Sequence, residues 1–297
     1  MCGITGILAF TEEGKKYLDK IDDAVKSLHH RGPDGSGVFR QGNVALGHTR
    51  LAIIDTSNAA AQPFTSSDGR YTIVFNGEIF NYKELRAELE KEGCVFRSQS
   101  DTEVLLTLYA KEGKECLNKL NGFFAFSIYD KTDSSLFLAR DRFGEKPLYW
   151  GYTENSTALY FASEIKALYA LGVPRTLDVT ATSSFFQLNY IPPEPWSIDY
   201  KVSPVAAAYS AHIFPGPPHP KMFYEKWQKQ KSANSVPVLN YDSAKKQLRE
   251  KLESATELRL ISDVPLGSFL SGGVDSSIIA AIAHRSKSDI QTFSIGY

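Results

Sequence analysis

Six short runs rich in β-branched and aromatic residues, spread between residues 44 and 163, restrict the fold more than any other feature of the sequence. They read VALGHTRLAIID (44–55), YTIVF (71–75), FFAFSIYD (123–130), SLFLARD (135–141), PLYWG (147–151) and ALYFAS (158–163). Such residues fit a pleated, half-buried surface. The polar turn clusters between the later runs predict an antiparallel meander rather than strand–helix–strand units. Helical periodicity is interleaved with them. Leu18, Ile21, Val25 and Leu28 fall three and four apart on one face. Asn81 to Glu84 has the form of a capping box, opening a helix that carries Leu85 and Leu89 and stops at Gly93. A third helix is predicted over Thr102–Lys111, with Gly113 after it. The simplest architecture for this inventory is an α+β sandwich in which helices cover paired sheets.

The pattern changes towards the end of the chain. Asp242 to Leu260 reads as a charged amphipathic helix, DVPLGSFL as a strand, SGGVDSS as a tight turn, SSIIAAIAHR as a helix and QTFSIGY as a second strand. That is one strand–helix–strand unit of a parallel α/β sheet, too little to cover both sheet faces, so these residues read as the front part of something longer. Between the two patterns, FPGPPHPK (214–221) has four prolines and a glycine, which suits an exposed loop or the start of a linker. The expected organisation is therefore a first domain over 1–200, a junction over 201–240 and an incomplete second domain over 241–297.

Composition serves mainly to exclude. With 297 residues, 42% hydrophobic and 23% charged, the chain is long enough for about two globular domains. A net charge of −1 with mixed signs offers no footing for nucleic acid or an anionic membrane surface. No apolar run approaches the ~18 residues of a membrane span. The N-terminus lacks the order of a secretory signal, so a cytoplasmic location is expected. Of the three cysteines, Cys94 and Cys116 lie beside apolar residues and are expected to fill core. Packing does not explain Cys2.

Two short stretches carry chemistry. In SGGVDSS (271–277), Gly272 and Gly273 let the backbone approach a ligand, and Ser276 and Ser277 stand where a helix dipole favours an anion. The alternative is a plain strand-to-helix turn with Asp275 as its cap. No lysine follows the glycines, so the general P-loop pattern is absent. At the other end, removal of Met1 would give Cys2 a free α-amino group with a reference pKa of about 7.7–8.0, so one residue would hold a sulfur nucleophile and its own base. A cysteine that merely begins a buried strand is the alternative.

Met-Cys-Gly-Ile-Thr-Gly-Ile at the N-terminus is followed in order by RGPDGSG (31–37), GHTRLAIID (47–55), NGEIFNY (76–82), SDTEVLL (100–106) and ARDRFGEKPLYW (139–150). This series resembles the glutaminase domain of class II glutamine amidotransferases, which are N-terminal-nucleophile hydrolases with an αββα sandwich. SGGVDSS resembles the pyrophosphate loop of the ATP pyrophosphatases. Together the two resemble glutamine-dependent asparagine synthetases of the bacterial type.

The resemblance implies that Cys2 is the nucleophile and that Asn76 and Gly77 form the oxyanion hole. It further implies that Arg50 clamps the glutamine α-carboxylate and that Asp101 binds the α-ammonium with help from Glu78. On residues alone, Asn76-Gly77 reads as a hairpin turn, Arg50 as a solvated or salt-bridged arginine and Asp101 as a helix cap. Arg31 and Asp34 are expected as an ion pair or loop brace, and His48 beside the site rather than in it. By resemblance, Leu270, Ser271, Gly272, Gly273, Asp275, Ser276, Ser277 and Ile295 bind ATP and its pyrophosphate, and Asp275 helps hold Mg²⁺.

Glutamine, aspartate and ATP are the implied substrates, and a homodimer is left open. The chain as it stands is expected to support glutaminase at most. Two alternatives remain: an amidotransferase of the same architecture acting on another carboxylate, and a non-catalytic regulatory module. Residues 201–227 match the family only loosely, so local rearrangement is expected there.

Overall fold

The computed structural model describes residues 1–192, 197–199, 201–216, 220–227 and 240–296. They form two compact units, Met1–Ala52 with Ser57–Gln228 and Ile53–Thr56 with Lys229–Tyr297.

In chain order the first unit begins with β1 (Gly3–Ala9), α1 (Ile21–Ser27), β2 (Gly35–Gln41), β3 (Val44–Arg50), β4 (Phe64–Thr65), β5 (Tyr71–Ile79), α2 (Tyr82–Lys91) and α3 (Asp101–Glu112). It continues with β6 (Gly122–Asp130), β7 (Ser135–Arg140), β8 (Tyr149–Tyr152), β9 (Ala158–Ala162), α4 (Ile165–Leu171), α5 (Val179–Leu188), β10 (Ser203–Pro204), β11 (Tyr209–Phe214) and β12 (Lys221–Lys226). Two six-stranded sheets result, ordered β10-β8-β9-β1-β3-β2 and β12-β11-β7-β6-β5-β4.

Strand alternation divides the side chains between layers. Ile4 and Leu8 of β1, Val44 and Leu46 of β3, Val74 of β5 and Leu136 and Leu138 of β7 fill one fully buried cluster drawn from both sheets. The opposite face of the first sheet, including Ile7, Ala45 and Tyr160, packs on α1 and α4 through Ile21, Val25 and Leu168. On the second sheet α3 covers the outer face, with the Tyr109 ring 5.1 Å from Phe137. The layers are therefore helix, sheet, sheet, helix, the αββα sandwich that the resemblance implies.

The same alternation fixes the site. Cys2 continues the Ile4 and Leu8 row, His48 and Arg50 continue the Val44 and Leu46 row, and Asn76 and Glu78 continue the Val74 row. All five therefore face the space between the sheets, at one end of the sandwich.

Several local expectations are corrected. Leu18 lies in a 3₁₀ turn over Glu13–Lys20, and the α-helix begins only at Ile21. Asn81 precedes α2 but makes no capping bond; its side chain instead binds Lys119 and Asn121. Ser100, not Asp101, caps α3 by accepting from the Glu103 N–H. Asn76-Gly77 lies inside β5 and is no hairpin turn. Cys116 is buried, whereas Cys94 is half-buried.

The largest difference concerns residues 201–240. Residues 203–204 add β10 to the first sheet, and β11 pairs with β7 from Ser210↔Ala139 to Ile213↔Leu136, burying Ala211 and Ile213 in the inter-sheet core. FPGPPHPK therefore connects two paired strands and does not begin a linker. Proline cannot donate to a ladder, so the four prolines of this run masked a strand pair whose alternation (Ala211, Ile213) was present in the sequence. Residues 217–219, and 228–239 of the expected junction, lie outside the described residues.

The second unit contains α6 (Tyr241–Leu258), β13 (Gly267–Phe269), α7 (Val274–Ser286) and β14 (Gln291–Phe293). The two strands pair in parallel from Gly267↔Gln291 to Phe269↔Phe293, as the strand–helix–strand reading requires. Among the described residues, no helix is long and apolar enough to cross a membrane.

Candidate active site

β1 and β3 run antiparallel with Gly3 opposite Thr49, so one step further Cys2 stands opposite Arg50. Gly3 has to be small. A Cβ there would lie 2.7 Å from Thr49 Oγ1 and 3.0 Å from Leu28 Cβ, so any side chain would push the N-terminus off β3. The Cys2 backbone is held in turn by Arg31, whose Nε donates to the Cys2 carbonyl at 2.9 Å while its Nη1 binds Glu164 at 2.8 Å. Asp34 accepts from the Ala52 N–H at 2.9 Å. Arg31 and Asp34 thus brace the loops on both sides of Cys2 through different partners, and not as a mutual ion pair.

The Cys2 sulfur is half-buried and touches the Leu51 backbone, accepting from its N–H at 3.4 Å and lying 3.6 Å from its carbonyl. Burial pushes the thiol above its ordinary pKa, against the opposing pull of the Leu51 contact, the chain's amino terminus and Arg50. Burial also lowers the Met1 ammonium. Arg50 leans towards Ser57, donating to its carbonyl at 2.7 Å.

Asn76 is 1% exposed, and its Nδ2 atom is buried without a hydrogen-bond partner. Leaving a buried donor unmatched costs roughly 1–3 kcal/mol, and a substrate atom that the donor receives is one way to offset that cost. Six side-chain atoms are orphaned in this way among the described residues, and three of them, on Arg31, His48 and Asn76, belong to the Cys2 end of the sandwich. Gly77 tolerates no side chain, because a Cβ would meet Phe123 O at 2.2 Å and Phe124 Cα at 2.8 Å. Strand parity turns its N–H away from β6: Phe80 donates to Asn121 across the ladder, so Phe75, Gly77 and Ile79 point to the other side. There the Phe75 N–H reaches Gln62 Oε1 at 2.7 Å and the Ile79 N–H reaches Asp101 Oδ2 at 3.0 Å. No partner for the Gly77 N–H is found among the described residues.

Asp101 is 5% exposed, and burial lifts its carboxyl to about 7, with Glu78 adding to the rise and the Ile79 bond opposing it. Lys146 closes the same region. It is 8% exposed, its ammonium sits 3.9 Å over the Phe123 ring and 3.1 Å from Met1 Sδ, and burial lowers its pKa while Glu78 raises it. Neither Lys146 nor Gln62 is singled out by the sequence. Lys146 sits within the conspicuous stretch ARDRFGEKPLYW and Gln62 follows GHTRLAIID at a short distance, and that position is their only signal.

In the second unit, β13 ends at Phe269 and the chain turns through Ser271–Gly273 into α7. Gly272 has φ +83°, the left-handed conformation that favours glycine. Gly273, not Asp275, occupies the cap position, and no side chain caps α7. The first N–H groups of a 13-residue helix are therefore open to an anion, beside the hydroxyls of Ser271, Ser276 and Ser277. Leu270 donates its N–H to Phe293 at 2.8 Å, and Ile295 is exposed just beyond β14. These residues suit a nucleotide's phosphates. No group of three or more His, Cys, Asp or Glu fit for a metal is found among the described residues. The single carboxylate of Asp275 suits Mg²⁺ only as an ion brought largely by phosphate oxygens.

An αββα sandwich with Cys2 directly before its first strand, and the buried, unpartnered Asn76 amide on the same inter-sheet side, is the arrangement that the resemblance to glutamine amidotransferases implies. Comparison with known proteins agrees. The glutamine amidotransferase domain profile matches residues 1–216 and the asparagine synthase profile matches residues 247–297, so the chain belongs to the glutamine amidotransferase family. It is 39% identical over its whole length to glutamine-hydrolysing asparagine synthetase 1 of Bacillus subtilis, covering 46% of that protein. It is 34% identical over 96% of its length to asparagine synthetase B of Escherichia coli, covering 45% of it. The chain thus spans about half the length of these curated relatives. Among solved structures, the glutamine phosphoribosylpyrophosphate amidotransferase of B. subtilis shares the fold with TM-score 0.55 at 23% identity, over 99% of this chain and 65% of that one.

Proposed function

We propose that the chain is the glutamine-hydrolysing part of an asparagine synthetase, together with the first strand–helix–strand unit of its ATP-dependent part. The observation that carries this reading is the buried, unpartnered Asn76 Nδ2 on the same inter-sheet face as Cys2. It is a donor prepared for an oxygen that arrives only with a substrate.

With Met1 in place the Cys2 nitrogen is an amide and cannot accept a proton, so the active form is the Met1-free chain. There the α-amine, with a reference pKa of about 7.7–8.0, takes the thiol proton. The sulfur attacks the side-chain carbonyl carbon of glutamine, and the carbonyl π electrons move onto oxygen. Asn76 Nδ2 and the Gly77 N–H receive the oxyanion. The α-amine's proton passes to the departing nitrogen, ammonia leaves, and water cleaves the thioester to glutamate and free Cys2. Arg50 holds the α-carboxylate in a two-bond fork, and Asp101 with Glu78 holds the α-ammonium.

In the complete enzyme, aspartate's β-carboxylate attacks the α-phosphorus of ATP bound at Ser271–Ser277 and releases pyrophosphate, and ammonia then displaces AMP from the acyl-adenylate to give the amide. Ammonia moves between the sites as neutral NH₃, because an apolar path penalises the charged form. The test is ammonia release from glutamine by the Met1-free chain and its Cys2→Ala variant. Loss of release in the variant supports the reading, and undiminished release overturns it.

A further inference from the structure

β4 pairs only Phe64 with Ile73 and Thr65 with Thr72, so beyond Ile73 the outer edge of β5 has no neighbouring strand among the described residues. An unpaired edge is normally satisfied by backbone or water. Here side chains from three separate segments do it. Gln62 Oε1 accepts from the Phe75 N–H at 2.7 Å, His48 Nε2 lies 3.2 Å from the Phe75 carbonyl, and Asp101 accepts from the Ile79 N–H at 3.0 Å. Gln62 is anchored in turn, its Nε2 donating to Thr102 Oγ1 at 3.2 Å, beside Asp101 in the first turn of α3.

His48 is 1% exposed, and burial lowers its pKa to about 3. The ring is therefore neutral, with the proton on Nε2 where the Phe75 carbonyl accepts it and a bare, unpartnered Nδ1. This bond crosses from β3 in one sheet to β5 in the other. In the β4 register, four more residues, back to Ala60, would have satisfied the same edge at Phe75 and paired the Gly77 N–H as well. Bracing by side chains satisfies residues 75 and 79 and leaves the intervening N–H open.

We propose that Gln62 and His48 are positioning residues that hold both backbone groups of Phe75, and so aim the Asn76 amide and the Gly77 N–H at the oxygen of the carbonyl attacked by Cys2. This rests on the glutaminase reading above. A displacement of about 1 Å in such groups costs on the order of 10²-fold in rate, whereas ground-state binding through Arg50 and Asp101 is untouched.

The experiment uses the Met1-free chain with Gln62→Leu, His48→Phe and His48→Gln. It measures kcat and KM for glutamine, affinity for glutamate, and affinity for the γ-aldehyde analogue of glutamine. The Cys2 thiol adds across that aldehyde's C=O, with its proton going to the oxygen and no leaving group, giving a tetrahedral adduct. Gln62→Leu and His48→Phe are expected to lower kcat roughly 10–100-fold and to weaken the aldehyde by the same factor, with glutamate affinity and KM moving less than about threefold. His48→Gln, whose amide can still donate to Phe75, is expected to recover most of the loss. Unchanged kcat in both Gln62→Leu and His48→Phe, or equal losses of aldehyde and glutamate affinity, overturns the proposal. Should His48→Phe fail to fold, Gln62→Leu at its half-buried position gives the same readings. Hydrolysis that persists in Cys2→Ala would bring down the glutaminase reading and this proposal together. Hydrolysis that needs Cys2 but ignores both braces brings down the proposal alone.

Discussion

Asp101→Asn separates what the site costs the fold from what it does for binding. Burial lifts the Asp101 carboxyl from an ordinary 3.8 to about 7. The difference is 7 − 3.8, or 3.2 units, and at about 1.36 kcal/mol per unit the ionised form costs the folded state up to about 4 kcal/mol. The sign follows from proton counts. Between about pH 4 and 7 the folded chain keeps a proton that the unfolded chain has released, so stability falls as pH rises and the full cost applies above about 7. Asparagine carries no such cost at any pH and can still accept from the Ile79 N–H through its carbonyl oxygen.

The variant is therefore expected to melt at about the same temperature as the parent near pH 4.5, and several degrees higher at pH 8. At pH 8 it should nonetheless bind glutamine far more weakly, because the α-ammonium loses its buried counter-charge. The expected rise in the dissociation constant for glutamine is roughly 10²–10³-fold. The assays are thermal melts at the two pH values and glutamine titration in a Cys2→Ala background. A variant less stable at pH 8 than its parent, or one that binds glutamine equally well, refutes the reasoning.

Asn76→Ala is expected to lower kcat for glutamine hydrolysis roughly 10²–10³-fold with little change in KM, read by steady-state kinetics. Gly77→Ala drives a Cβ against the Phe123 carbonyl and Phe124 Cα, so chemical denaturation should show a loss of several kcal/mol. Burial would raise the Glu164 carboxyl, but the bonds from Arg31, His30 and Lys166 outweigh it and hold the pKa near about 2. Its stabilisation is present above about 4.5 and is lost as pH falls towards about 2. Glu164→Gln should accordingly cost about 1–3 kcal/mol at pH 7, with the difference from the parent shrinking below pH 4 in urea melts.

Strand alternation made much of the first unit readable. The rows Val44–Leu46–His48–Arg50 and Val74–Asn76–Glu78 assign faces by parity alone, and the sandwich puts those faces together. Legibility failed where a local signal competed with a distant one. Asn76-Gly77 has the chemistry of a hairpin turn, yet pairing with Ala125 and Phe124 of β6 keeps it extended. Asp101 has the chemistry of a cap, but Ser100 takes that role and frees the carboxylate for Ile79. The prolines of 214–221 disguised β11 and β12, which only pairing with β7 reveals. Lys146 and Gln62 act through long-range contacts, with Met1 and with Phe75, that no spacing rule encodes. In the second unit the turn was legible because its glycines and serines all fall within seven consecutive residues.

The central claim is that Cys2, freed of Met1, is a nucleophile facing a bound amide. Intact-mass and peptide mapping after exposure to a diazoketone analogue of glutamine tests it most directly. The account predicts one adduct per chain, on Cys2, in the Met1-free protein, blocked by excess glutamine and absent when Met1 is retained. Labelling of Cys94 in place of Cys2, or equal labelling with Met1 still attached, would contradict it.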